Sequence, residues 1–531
     1  MTRRFPPIAL IGNNDEETSL LKEYAEFWKV PYTVRSRDVA DSLILTSNPK
    51  IAANSTGPNP VIVSPAGTDG ARHTANQFGI VSTSKESRVR LHLSAGTFVS
   101  VRATVNQFSG KGVESVLDDG DNVILYRISG SSFYLLSVDL ISEYRKLLYE
   151  RMDEDPNWRF RLIARMPFSY NLIPSSIRNR AFKTKQDLAS VEEEEYGPVE
   201  CLRSIFLASL VIASPDSVPI IRFWRRGKSY ALAISHDVET QPGLEDGAAR
   251  LFEIEKMLDI RSTWNIPSDR YPLSSQLLIT LATGGEVGGH DTKHDGKLLF
   301  TTSKEKLVRV QQCKQRLEQL SRSQVRGFRA PLLQHSRELT RELGRAGYDY
   351  DSSMPSWEPL SPTSLKPHGV GTVFPFFVSD IIEIPVSLPQ DHQLIRAGGM
   401  NVSEAVDYLL KLSSWIKKTG GACVLLAHPD YEFGQEGGRE QYSRLLSSFR
   451  SDPSCDIMTL GEMADWWQYR QQSSIDNSGE IKTDPGYVRK LSGGELELGI
   501  VTGYGPDGFL IQGSASVVNL AETAENSKRR L

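Results

Sequence analysis

Apolar positions come in short runs cut off by turn residues, and the runs alternate between two periods. IALIG, residues 8–12, ends on glycine and is followed by EETSLLKEYAEFWK, residues 16–29. In the second stretch Leu20, Leu21, Tyr24, Phe27 and Trp28 recur at helical spacing and make one apolar face. DSLILTS (41–47) and NPVIVSPAG (59–67) then read as strands beside turn residues. This strand–helix–strand order predicts an open α/β sheet over residues 1–145. Within it, DNVILYRISGSSFYLLSVDL (121–140) predicts a hairpin, two apolar runs around a Ser-Gly-Ser-Ser turn.

Residues 146–218 read as a mostly helical connector. SIFLASLVIAS (204–214) suits a buried helix, and the acidic run VEEEEYG (191–197) suits a solvated face. From 219 to 470 the pattern changes to repeated strand and helix units. YALAIS (230–235), EVGGH (286–290), VRGFRAP (325–331), IIEIPVS (381–387) and ACVLLAH (422–428) alternate with stretches such as EDGAARLFEIEKMLD (245–259) and KEKLVRVQQCKQRLEQL (304–320). Repeated β–α units of this kind predict a parallel barrel. Residues 471–531 turn polar and glycine-rich. GELELGIVTGYGPDGFLIQGS (494–514) predicts a hairpin across Gly-Pro-Asp-Gly, a small β appendage before a polar end.

Composition narrows the function classes. At 531 residues the chain exceeds one ordinary domain. With 39% hydrophobic and 24% charged residues it reads as globular, and a net charge of -4 argues against a general nucleic-acid or anionic-membrane binder. No apolar stretch approaches the roughly 20 residues that cross a bilayer. IALIG is shorter than the about 7–15 residues of a signal-peptide core, so a cytoplasmic protein is expected. The cysteines, Cys201, Cys313, Cys423 and Cys455, form no close pair, which leaves any metal to histidine and carboxylate.

Five segments carry candidate chemistry. HDTKH sets His290 and His294 four apart, on one face if the turn is helical. SHDVE ends an apolar strand with Asp237 and Glu239, two positions apart and so on one side. FRAPL places Arg329 at a strand end, where it can fix a carboxylate's charge. YDSSMPSW carries Asp351 and Trp357, and LLAHP ends a strand in His428. Singly, each has an ordinary structural reading: chance histidine spacing, capping acids, a surface arginine, a packed histidine. Seven of the nine histidines, however, fall between 236 and 428, as a metal-dependent core requires.

In this order the five segments resemble the motifs of the polysaccharide deacetylases, the NodB-homology or carbohydrate esterase family 4 superfamily, over about residues 225–470. The resemblance implies a distorted (β/α) barrel and one divalent metal, most often Zn2+. Glu239, His290 and His294 would be its ligands, leaving a position open for water. It further implies Asp237 as general base, His428 as general acid, Arg329 holding Asp237, and Asp351 orienting His428. Leu332, through its backbone N–H, and Trp357 would line the oxyanion and substrate positions. The reverse assignment of Asp237 and Glu239 stays open. The valine between the acids matches a branch that includes allantoinase-like enzymes. The implied activity is therefore hydrolysis of a non-peptide C–N bond, first of all deacetylation of an N-acetylated sugar or glycan precursor. A cyclic amide or ureide substrate, or a non-catalytic carbohydrate binder on the same fold, are the alternatives. The 121–140 hairpin is similar to the closing hairpin of amidotransferase-like (Rossmann-like) α/β domains. Those enzymes use a cysteine nucleophile, which residues 1–145 lack, so this likeness implies a binding or structural role.

Overall fold

A computed structural model describes residues 5–34, 43–50, 58–94, 96–153, 158–166, 193–358, 368–483 and 494–514. The chain divides into two compact units, each discontinuous in sequence. One joins Met1–Tyr149, Gly197–Gly227 and Gln468–Leu531; the other joins Glu150–Tyr196 and Lys228–Trp467. Among the described residues, no helix is long and apolar enough to cross a membrane.

The first unit is built on a seven-stranded sheet. Its spatial order is Tyr32–Val34, Ile8–Ile11, Ile44–Thr46, Val61–Val63, Phe133–Leu136, Val123–Ile128 and Val113–Asp118. The first five strands run parallel, and the last two pairings are antiparallel. Ile8–Ile11, Ile44–Thr46 and Val61–Val63 are buried along their whole length, as expected of parallel strands covered on both faces. Asn14 caps the helix Asp15–Trp28 by accepting the Glu17 N–H, and the predicted apolar face of that helix is buried. The 121–140 segment forms the expected hairpin. The apolar helix Pro198–Ala213 is buried almost all round. In the rest of the 146–218 segment Trp158–Arg165 is helical, and residues 154–157 and 167–192, including the start of the acidic run, lie outside the described residues.

The hairpin near the end of the chain, Leu498–Gly505 with Gly508–Ser514, is part of this unit. Leu498–Gly505 pairs antiparallel with Val218–Ile221, so the hairpin and that strand together form a three-stranded sheet. Gly508 closes its turn at φ +87, a conformation that favours glycine.

The second unit carries a nine-stranded sheet. Its path runs Phe376–Val378, Ile381–Glu383, Tyr350–Asp351, Gly327–Phe328, Glu286–Gly289, Thr263–Ile266, Tyr230–Asp237 and Ala422–Ala427, with Cys455–Met458 also paired to Tyr230–Asp237. Every pairing is parallel except the Phe376–Val378 hairpin. Helices Ala248–Met257, Ser275–Gly284, Ser303–Ser321, Arg337–Arg345 and Val402–Thr419 alternate with these strands. The sheet curls until its ends meet: the Leu388 N–H donates to Val424 O at 3.2 Å, and the Val424 N–H to Ser387 Oγ at 2.8 Å. The result is a distorted (β/α) barrel. Several strands are only two to four residues long, and the residues that follow them gather at one rim, the C-terminal ends of the strands.

Candidate functional site: two carboxylates and three histidines at the barrel rim

Asp237, the last residue of its strand, is buried and held from two sides. Asn265 Nδ2 donates to Asp237 Oδ1 at 2.9 Å, and Arg329 Nη1 lies 3.4 Å from the same oxygen. Asp237 Oδ2 faces His290 Nε2 at 3.9 Å. Burial raises the Asp237 carboxyl, but His290, Arg329 and His428 together outweigh burial and hold it below the usual carboxylate range. Asn265 reaches Asp237 because residue 288 is glycine: a Cβ there would sit 2.3 Å from Asn265 Oδ1.

His290 follows the strand Glu286–Gly289, and its Nδ1–H donates to Arg329 O at 2.7 Å. That bond fixes the tautomer and leaves the Nε2 lone pair available. His290 Nε2 is buried with no hydrogen-bond partner among the described residues. The His294 ring lies 4.8 Å from that of His290, and His294 Nε2 is 3.5 Å from Glu239 Oε1. The other oxygen, Glu239 Oε2, accepts the Tyr431 hydroxyl at 2.6 Å. Burial lowers both histidines, His294 to about 3, so the imidazoles are neutral donors at ordinary pH. Ligands about 2.0–2.1 Å from a tetrahedral ion stand roughly 3.4 Å apart. The 3.5 Å His294–Glu239 separation is of that order, while the 3.9 Å separation joins His290 to Asp237; the donor types suit a divalent cation, and the distances form two pairs, Glu239–His294 and Asp237–His290.

His428 follows the strand Ala422–Ala427 and faces the same rim. Asp391 accepts from it twice, from Nδ1–H at 2.7 Å and from the backbone N–H at 3.0 Å. Burial alone would lower this imidazole, but Asp391, Glu239 and Asp237 push it up to about 9. His392 packs edge-on against it at 4.8 Å. Asp391, His392 and His428 bring potential ligand atoms within 4.8 Å of one another. Both Asp391 oxygens already accept from His428, so the trio is better described as a carboxylate–imidazolium pair with a neighbour than as a cation cage.

Two expectations from the sequence are corrected. His290 and His294 do not share a helical turn: residues 290–297 are a loop in which Asp291 (φ 65), His294 (φ 47) and Gly296 (φ 71) are left-handed. Arg309 holds that loop by pairing with Asp291 and, at 2.8 Å, with Asp295. The second correction concerns Asp351, which does not orient His428. Asp351 Oδ1 accepts the Ser353 hydroxyl at 2.5 Å. The sheet explains the exchange: the segment after Ile381–Glu383, which leads to Asp391, runs beside Ala422–Ala427, while Asp351 lies on the far side of Ile381–Glu383. Leu332 sits in a tight turn after Pro331 with φ 60, and Leu333 follows at φ 51. Trp357 is half-buried, with its indole N–H buried and without a hydrogen-bond partner among the described residues.

Asn265, Asp391, His392 and Tyr431 were missed by sequence reasoning. An acid next to a histidine in QDHQ was the available signal for Asp391. Nothing local marks Asn265 or Tyr431, whose roles come from non-local pairing.

No family model matches the chain, and no curated protein matches its sequence. Several solved structures resemble about half of it. One described as a polysaccharide deacetylase from Mycobacterium smegmatis is 19% identical, over 48% of this chain and 94% of its own, with a TM-score of 0.40. Puue allantoinase is 14% identical over 49% of this chain and 96% of its own, with a TM-score of 0.38. A carbohydrate esterase family 4 pseudoenzyme from Bacillus anthracis is 15% identical over 46% and 69%, with a TM-score of 0.33.

Proposed function

We propose that the barrel unit is a metal-dependent hydrolase of non-peptide C–N bonds, acting first of all on an N-acetylated sugar or glycan precursor. The observation that carries this reading is the neutral, buried, unbonded His290 Nε2, flanked by Asp237, Glu239 and His294 at one rim. Glu239, His290 and His294 would hold one divalent cation, Zn2+ by donor type, which supplies Lewis acidity to the amide carbonyl and to water.

The side chains divide the remaining work. Asp237, kept ionised by Arg329 and Asn265, takes a proton from the attacking water. The water oxygen bonds to the acyl carbon. The backbone N–H of Leu332, in its left-handed turn, is the candidate donor to the developing oxyanion. His428, charged at neutral pH and aimed by Asp391, gives a proton to the departing nitrogen as the C–N bond breaks. Acetate and a free amine result.

The test is acetate release from N-acetylglucosamine and its oligomers, with bound metal measured, for wild type, Asp237→Asn and His290→Ala. The expected result is stoichiometric metal with release by wild type, metal without release in Asp237→Asn, and neither in His290→Ala. Metal without release from any acetylated sugar moves the substrate to another amide, such as a ureide. Neither metal nor release in wild type overturns the reading in favour of a binder.

A further inference from the structure

Behind Arg329 two carboxyl groups occupy a space with compensation for one charge. Asp351 and Glu383 end adjacent parallel strands and are direct partners in the register. Both are 0% exposed. One oxygen of each is satisfied: Asp351 Oδ1 by the Ser353 hydroxyl and Glu383 Oε1 by the Met354 N–H at 2.8 Å. Asp351 Oδ2 and Glu383 Oε2 are buried, and among the described residues no N–H or hydroxyl donor reaches either. The two carboxyls, paired in register and within hydrogen-bonding reach of each other, have no donor between these oxygens and require a proton of their own.

The charges agree. Arg329, itself 0% exposed, is the cation that faces the pair, and it already approaches Asp237 while donating to Ser235 Oγ at 3.1 Å and Ser352 Oγ at 2.8 Å. On the other flank, the strand Phe376–Val378 sets Phe376 opposite Glu383. Asp237 draws on His428 as well as on Arg329, whereas Asp351 and Glu383 have Arg329 alone among the described cations; two ionised carboxylates beside it would leave buried negative charge uncompensated.

We propose that Glu383 is a positioning residue that keeps a proton at neutral pH and donates it to Asp351, so that the pair carries one charge and Arg329 remains committed to Asp237. Burial and the adjacent Asp351 push Glu383 well above the carboxylate range, and burial pushes Asp351 up to about 6, as a shared proton requires. The commitment of Arg329 to Asp237 matters for turnover only under the hydrolase reading above; the shared proton does not depend on it.

The proton is read from stability. A carboxyl protonated when folded and ionised when unfolded takes up one proton on folding, so the folding equilibrium constant falls tenfold per pH unit above about pH 5. Glutamine keeps the hydrogen bond and takes up no proton. Urea unfolding of wild type and Glu383→Gln at pH 5, 6 and 7 is expected to give a stability ratio that moves tenfold per unit in favour of the variant. A ratio that does not change with pH overturns the shared proton. If Glu383→Gln fails to fold, Asp351→Asn, which lets Glu383 ionise, decides by the same comparison. For the positioning role, kcat is expected within about twofold of wild type in Glu383→Gln and about tenfold lower in Glu383→Leu, with KM unchanged in both. Equal kcat in Leu and Gln overturns positioning. A wild type that releases no acetate defeats the functional reading and leaves the unfolding result to stand by itself.

Discussion

Asp391 grips His428 twice, at the imidazole Nδ1–H (2.7 Å) and at the backbone N–H (3.0 Å). The two bonds fix the ring orientation, and the Asp391 carboxylate, with Glu239 and Asp237, keeps the imidazole charged up to about pH 9 against the effect of burial. Asp391→Asn keeps the shape and removes the charge. Under the proposed mechanism it lowers kcat by about 10–100-fold, the range for groups that orient a catalytic or metal-bound histidine. The alkaline limb of kcat against pH also moves down from about 9. A pH–rate profile of the variant checks both; an unmoved alkaline limb removes His428 as the acid.

The same pair sets a stability window. The folded pKa of His428, about 9, lies above its usual value of 6.5, so the pair contributes fully below about pH 6.5 and loses that contribution as pH rises through about 9. Asp391, depressed in the fold as His428 outweighs burial, loses its share only as pH falls through the acid range. Thermal unfolding of wild type from pH 6 to 10 therefore declines more steeply than that of His428→Asn. Parallel curves would contradict the charge assignment.

Metal loading has its own signature. Chelator-treated protein is expected to lose activity and to regain it, with a raised Tm, when one equivalent of zinc is returned. His290→Ala removes the nitrogen whose other ring atom is fixed by Arg329 O, and it weakens zinc binding by at least about 100-fold. Calorimetric titration measures this without any substrate.

Gly288 offers a steric test away from the ionisable groups. The Cβ of Gly288→Ala would meet Asn265 Oδ1 at 2.3 Å, so Asn265 must move and its bond to Asp237 lengthens. The cost is about 1–3 kcal/mol of stability, as for other overpacked sites. The kcat also falls more than in Asn265→Ala, which removes the bond without displacing the strand. Denaturant titration and steady-state kinetics separate the two effects.

Much of the barrel was legible because its evidence is local. Apolar runs ending in His, Asp or Arg marked the strand ends at 237, 290, 329 and 428, and the strands are there. The HDTKH stretch misled, because four-residue spacing suggests a helix while Asp291 and His294 adopt left-handed backbone instead. The partner of His428 was not legible either. Asp351 and Asp391 are both acids near strand ends, and only the sheet order tells which one reaches the histidine. Likewise the hairpin at 498–514 was visible as a hairpin, but its pairing with Val218–Ile221 spans most of the chain and leaves no local trace.

That last pairing has a bearing on how the polypeptide is made. Val218–Ile221 leaves the ribosome long before Leu498–Gly505, and every strand of the barrel sheet is synthesised in between. The barrel can therefore close while translation continues, whereas the three-stranded sheet of the other unit has to wait for residues 498–514. A prematurely stopped chain would leave Val218–Ile221 as an unpaired apolar edge, the kind of surface that chaperones hold and aggregates recruit.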